Sequence, residues 1–233
     1  MNTSMFKVAK ALECKILTGK FHSFIFETET LLIYKPGQYI SIKVADARLN
    51  CYSIATNERG NKLGLLVDIS PGGPGSKYFE SLRPGDKISF LGPFGIFIYK
   101  PDKDVKHALF LGTGSGCAPL RCMIDNLLKI EHVRTPITFY LGLRYPADIF
   151  WQDYFKKLSQ DYPNFNFILV ISRPDAAGWQ GKAGHITDIV SQDFPNTSGL
   201  AAYLCGNISM IEEATNMLIS HGLAREKIYT EKF

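Results

Sequence analysis

The stretch Leu111-Gly112-Thr113-Gly114-Ser115-Gly116-Cys117-Ala118-Pro119-Leu120 is the part of the chain best built to hold a phosphate. Glycines let a backbone approach a phosphate closely, and a helix N-terminus beyond them offers unpaired N–H groups and a favourable dipole. The match to GxGxxG is incomplete, because Pro119 stands where the third glycine belongs. The Gly-Lys-Ser/Thr ending of a P-loop is missing too. A tight turn needing glycine only for sterics is the plainer alternative. The apolar run before it and the helical pattern after it favour a dinucleotide loop.

Other chemistry is poorly represented. The five histidines (22, 107, 132, 185, 221) show no ligand spacing, so no metal site is expected. No Ser/His/Asp order suggests hydrolysis. The five cysteines (14, 51, 117, 122, 205) form no CxxC pair, zinc set or cluster-binding run. Reduced thiols in a cytosol are the simplest reading. The chain shows no secretory leader and no apolar run of about 18 residues, so a cytoplasmic protein without a membrane span is expected.

Two kinds of element must position the glycine loop. From 15 to 100 the apolar residues alternate, as in Ile40, Ile42, Val44 and in Leu63, Leu65, Val67, Ile69, with Ile88 and Phe90 following. Period two over short spans means half-buried antiparallel strands, and no long helix interrupts them. Turns such as Lys35-Pro36-Gly37, Pro71-Gly72-Gly73-Pro74-Gly75 and Arg83-Pro84-Gly85-Asp86 separate them. A small barrel or sandwich follows. After residues 101–105 the rhythm changes. A buried strand at 107–111 leads through the glycine loop to a one-faced helix carrying Leu120, Met123, Ile124, Leu127 and Leu128. Pro119 suits its first turn. Strands at 137–143, 166–172 and 201–205 then alternate with helices near 150–158 and around Met210–Leu218, which predicts a parallel sheet covered on both faces.

Length and composition agree with two domains. The 233 residues are 45% hydrophobic and 21% charged, which excludes disorder, fibres and coiled coils. The net charge of +4 is unevenly spread, with 13 basic against 8 acidic residues in 1–100 and 13 against 14 in 101–233. A basic first half suits phosphates or an acidic partner, although chance among solvated side chains would also produce it. It is too weakly basic for a nucleic-acid protein.

Taken together, the motifs resemble the ferredoxin–NADP reductase superfamily, which also includes flavin reductases and oxygenase reductase components. Gly114-Ser115-Gly116-Cys117-Ala118-Pro119 is similar to its G-[TS]-G-x-A-P loop. Pro36-Gly37-Gln38-Tyr39 resembles its GQ strand, and Cys51-Tyr52-Ser53 stands where R-x-[YF]-S is expected. Gly73-Pro74-Gly75-Ser76 resembles its G-x-x-S turn, and Gly85-Asp86 with Gly92-Pro93-Phe94-Gly95 resembles GD…GPxG. Gly142-Leu143-Arg144 and Cys205-Gly206-Asn207 with Met210 are similar to GxR and CGxxxM. Each motif alone is weak, whereas their common order along nearly the whole chain is specific.

The resemblance implies an N-terminal antiparallel Greek-key barrel binding FAD (1–103) and a Rossmann-like α/β domain binding NAD(P)H (104–233). Tyr52 would stack on the flavin, Ser53 would bond its reactive edge, and Gly73, Gly75 and Ser76 would cradle its diphosphate. The family's basic residue two places before the tyrosine is Asn50 here. Strand alternation puts Arg48 on the same face, where it would be the substitute phosphate ligand, with FMN the alternative to FAD. Gly114, Ser115, Gly116, Pro119, Arg144, Gly206 and Met210 would serve the nucleotide. Ser172 and Arg173 would accommodate a 2′-phosphate and favour NADPH, with Asp175 nearby. Ser53, Cys205, Glu231 and Phe233 would form the hydride-transfer cluster, with Cys205 and Phe233 also touching cofactor. Electrons would leave to a small acidic carrier, ferredoxin or flavodoxin, or alternatively to free flavin or an oxygenase. A non-catalytic dinucleotide-binding, redox-sensing module is the rival from another class.

Overall fold

A computed structural model describes residues 6–57, 60–174 and 178–232. Phe233 and Asp175, both singled out by sequence, lie outside them. The first half of the chain is an antiparallel sheet of β1 (Lys7–Ile16), β2 (Phe21–Thr28), β3 (Tyr39–Ala45), β4 (Arg48–Ser53), β5 (Lys62–Asp68) and β6 (Lys87–Phe94). Their order is β4-β3-β6-β1-β2-β5, and an Ile54–Leu65 bridge joins the two ends, closing a Greek-key barrel. The alternation read from sequence is the inward face. Phe24, Phe26, Ile40, Ile42, Leu63, Leu65, Ile88 and Phe90 are all at most 1% exposed and fill one core. Full closure leaves few unpaired strand edges.

One element departs from the expectation. Pro74–Ser81 is a helix, α1, where the sequence reads as a Pro/Gly turn. Pro74 sits at its first position, where a missing N–H costs nothing. Its Phe79 drops into the barrel against Phe24 and Tyr52, each with ring centroids 4.8 Å away.

The second half is a parallel sheet of β7 (His107–Thr113), β8 (Ile137–Leu143), β9 (Phe165–Ile171), β10 (Lys182–Ala183), β11 (Leu200–Gly206) and β12 (Ile228–Lys232), ordered β10-β9-β8-β7-β11-β12. Helices α2 (Cys117–Lys129) and α3 (Gln152–Asp161) cover one face; α4 (Ile186–Asp193) and α5 (Ile208–Ser220) cover the other. Helix α4 is short, eight residues, and its apolar pattern is too brief to stand out in the sequence. The two sheets share a core. Phe21, Ala55, Leu66 and Phe97 from the barrel half pack in the cluster that buries α2 and α3. No helix among the described residues is long and apolar enough to cross a membrane.

Candidate functional site

Strand β4 presents alternate side chains to one face, and its polar row runs toward the start of α1. Arg48 Nε donates to Asn50 Oδ1 at 3.2 Å, and Asn50 Nδ2 donates to Tyr52 Oη at 3.4 Å. A Cβ on Gly75 would push against Tyr52 Oη and the Asn50 amide, so glycine lets the first turn of α1 come this close without displacing them. Gly73 caps α1 without any side-chain hydrogen bond. The helix therefore turns free N–H groups and its positive end toward a row of donors, which fits a diphosphate. Ser76 is buried in that first turn. Tyr52 is half-buried, and burial raises its phenol above the usual range, so it stays neutral.

The next residue of β4 faces the other way. Ser53 is 4% exposed and its Oγ donates to Glu231 Oε2 at 3.2 Å, linking the barrel to the last strand of the second sheet. Registry explains the meeting. Glu231 on β12 pairs with Cys205 on β11, which pairs with Gly112 on β7 immediately before the glycine loop. Burial pushes the Glu231 carboxyl up to about 7, partly offset by the hydrogen bond from Ser53. Burial first, then the neighbouring Glu231, raises the Cys205 thiol, so its sulfur is neutral.

The glycine loop forms a single 3-10 turn at Gly114–Gly116 running into α2. Gly116 is required by contact, because a Cβ there would strike the Cys205 carbonyl and the Gly206 Cα. Gly206 takes φ +140°, and its Cβ would strike Thr113, whose hydroxyl accepts the Asn207 N–H at 3.1 Å. Both glycines thus let the backbones pack closely at the carboxyl ends of β7 and β11. That is where ligands bind in such sheets.

A cleft of about 530 Å³ opens there. Of the residues singled out by sequence, Gly114, Ser115, Arg144, Ser172, Gly206 and Met210 line it. Gly116 and Pro119 are buried behind it in the turn and first turn of α2. Arg173 is exposed and does not line the cleft, although its N–H donates to the carbonyl of Arg144, which does, at 2.8 Å. The sequence reading missed the opposite wall. Lys20, Phe21, Asp68 and Ser70 come from the barrel, on a hairpin turn and a strand end that carry no motif. Asn207, which the sequence offers only as part of the Cys205-Gly206-Asn207 motif, also lines the cleft and caps α5 by accepting the Ser209 N–H at 2.8 Å.

Comparisons with known proteins agree with this geometry. Residues 12–99 match the oxidoreductase FAD-binding domain, and residues 110–216 match the oxidoreductase NAD-binding domain. The phenol hydroxylase P5 protein of Acinetobacter pittii is 30% identical over 232 residues, covering 97% of this chain and 65% of its own length. The cytochrome P450 reductase GcoB of Amycolatopsis superposes with a TM-score of 0.90 at 27% identity, over 98% of this chain and 69% of that one. A ferredoxin NADP+ reductase from Neisseria gonorrhoeae with bound FAD and NADP shares the fold at a TM-score of 0.86 and 22% identity, over 98% and 99%. The chain spans just under two thirds of the phenol hydroxylase relative, and other curated relatives are covered over about half their length. With a flavin-binding barrel and a nucleotide-binding α/β half in this order, the chain belongs to the ferredoxin–NADP reductase superfamily.

Proposed function

We propose that the chain is an NAD(P)H-dependent flavoprotein reductase working as two units, 1–103 for FAD and 104–233 for the nucleotide. The observation that carries this is the Ser53–Glu231 hydrogen bond beside Cys205, which brings the polar edge of the barrel to the ends of β11 and β12. Bound FAD would supply a hydride acceptor for the nicotinamide and a store for the two electrons. The chain's own part is to bind, orient and manage a proton. Arg48, Asn50 and Tyr52, with the amides of Gly73, Gly75 and Ser76, hold the flavin's phosphates and position its ring edge toward Ser53. Gly114, Ser115 and Gly206 admit the nucleotide backbone-close. Ser53 and Glu231 hold one exchangeable proton at the joint, and a carboxyl near 7 can both take it up and give it away at neutral pH. Cys205 and its neighbour Cys117, both buried and neutral, keep that joint dry and free of a competing negative charge.

NADPH is the preferred donor in this reading. Arg144 on the cleft and Arg173 next to its lining residue Ser172 offer two guanidinium groups, and an arginine pair suits a 2′-phosphate. The electrons go to a separate carrier, a small acidic protein such as ferredoxin or flavodoxin. A second reading, a reductase component serving an oxygenase, is favoured by the phenol hydroxylase and cytochrome P450 reductase relatives.

The test is direct. Purified protein supplied with FAD should retain it through gel filtration and oxidise NADPH faster than NADH with an artificial acceptor. Ferredoxin, flavodoxin and free FMN are then compared as acceptors at matched concentration. A protein that retains no flavin and oxidises neither nucleotide would be a non-catalytic dinucleotide-binding module. A preference for free FMN would remove the protein carrier.

A further inference from the structure

The wall of the cleft opposite the glycine loop belongs to the barrel, and its tip is rigid. The Thr18 hydroxyl accepts the N–H groups of Lys20 at 3.2 Å and Phe21 at 3.1 Å. The Phe21 carbonyl accepts those of Leu17 and Thr18, and the Lys20 carbonyl accepts the Ile69 N–H at 2.8 Å. Phe21 leans on the loop itself: its ring lies 3.6 Å from where a Cβ on Gly114 would stand. The same ring packs on Phe150 of the second half, with centroids 4.6 Å apart. Lys20 is thereby fixed beside the loop and lines the cleft.

Its ammonium sits 2.9 Å from each carboxylate oxygen of Asp148, and 5.3 Å above the Tyr145 ring. Asp148 is 6% exposed and also accepts the Tyr145 N–H at 3.3 Å, in the turn that follows Arg144. As a clamp between the two halves this ion pair is weak, because the Lys20 side chain keeps 37% of its exposure. As a piece of the cleft it is decisive. The lining carries three carboxylates, Asp68, Asp148 and Glu213, against two cations, Lys20 and Arg144. A dinucleotide brings two further negative charges in its diphosphate. Without Lys20 the only charged side chain the barrel wall presents to it would be the Asp68 carboxylate.

We propose that Lys20, supplied by the flavin-binding half, is a ligand for the diphosphate of the bound dinucleotide, held ready by Asp148. The nucleotide site is then completed across the two halves, and Lys20 exchanges one anionic partner for another when the nucleotide enters. Lys20 is already half in water and gives up little, whereas Asp148, 6% exposed, keeps only the Tyr145 N–H, so leaving its carboxylate offsets part of the gain. The proposal rests on the reading above that this cleft takes NAD(P)H.

The experiment is a titration of FAD-loaded protein with ADP-ribose, which carries the diphosphate, and with adenosine, which does not. Lys20→Met should weaken ADP-ribose binding about tenfold, the weight of a charged hydrogen bond, while adenosine binding changes less than about twofold. Lys20→Arg should stay within about threefold of the unaltered protein. Asp148→Asn removes the competing carboxylate and should bind ADP-ribose at least as tightly. Melting curves without nucleotide confirm folding, with Lys20→Gln as the second neutral variant. The proposal is overturned if the neutral variants bind ADP-ribose normally, or if Asp148→Asn weakens it as much as Lys20→Met, which would make the pair only a tie between halves. If the unaltered protein binds no ADP-ribose at all, the nucleotide reading fails first and takes Lys20 with it.

Discussion

Replacing Glu231 by glutamine should reshape the protein's dependence on pH, and the sign follows from its surroundings. The carboxyl titrates near 4.5 when unfolded and at about 7 in the fold, because burial disfavours its charge. Below pH 4.5 both states hold the proton and Glu231 adds no penalty. As pH rises from 4.5 toward 7 the unfolded chain ionises first, and stability is lost until the folded carboxyl also ionises. The full displacement would correspond to about 3 kcal/mol above pH 7, at 1.36 kcal/mol per pH unit. Partial exposure of Glu231 reduces this to roughly 1–2 kcal/mol. Glutamine still accepts the hydrogen bond from Ser53 but carries no charge. Glu231→Gln should therefore melt with the unaltered protein at pH 4.5 and above it by roughly 2–8 °C at pH 8. The assay is a thermal melt of the FAD-loaded protein at half-unit intervals across that range. In turnover, the same variant should lose the limb of the pH–rate profile centred near 7. Two melting curves that stay parallel from pH 4.5 to 8 would refute the burial argument for this carboxyl.

Three other outcomes follow from the same geometry. Gly75→Ala should lower FAD affinity at least about tenfold while the barrel still folds, because its methyl group displaces Tyr52 and Asn50 from the start of α1; flavin fluorescence titration measures it, and unchanged affinity would remove this turn from the flavin site. Arg173→Ala should raise KM for NADPH about tenfold and leave KM for NADH nearly unchanged, a ratio read by steady-state kinetics with an artificial acceptor. Reduction of an acidic carrier protein should slow as ionic strength rises, since the 13 basic against 8 acidic residues of 1–100 accompany the flavin half; a rate indifferent to salt would return that imbalance to chance.

Much of the architecture is legible in the chain because it rests on periodicity. Ile40, Ile42 and Val44, then Leu63, Leu65 and Val67, alternate because one barrel face is wet and the other dry. Leu66 is hidden from that pattern: it points outward from the barrel and is still only 3% exposed, because the α2 side of the second half covers it. A contact between halves leaves no periodic trace in either. Helix α1 is illegible for a different reason. Pro74 and Gly75 mark turns in most settings, and here proline at the first helical position and a glycine packed against Tyr52 use the same residues to start a helix. At the site, the Gly114–Gly116 turn announces itself through composition, whereas the meeting of Ser53 with Glu231, 178 positions apart, depends on two strand registers and was reached only through the family resemblance. Lys20 had no signal at all, being a lysine in a hairpin turn. Its meaning comes from Asp148 across the cleft.

The central claim is that reducing equivalents pass from nucleotide to flavin at the joint where Ser53, Cys205 and Glu231 converge. Rapid mixing of FAD-loaded protein with NADPH under anaerobic conditions tests it most directly, with the visible flavin band followed in the unaltered protein and in Ser53→Ala. The account predicts full bleaching in both, with the first-order rate in Ser53→Ala lower by about tenfold or more and FAD affinity little changed. Bleaching at the same rate in both proteins, or a flavin band that NADPH leaves untouched, would contradict it.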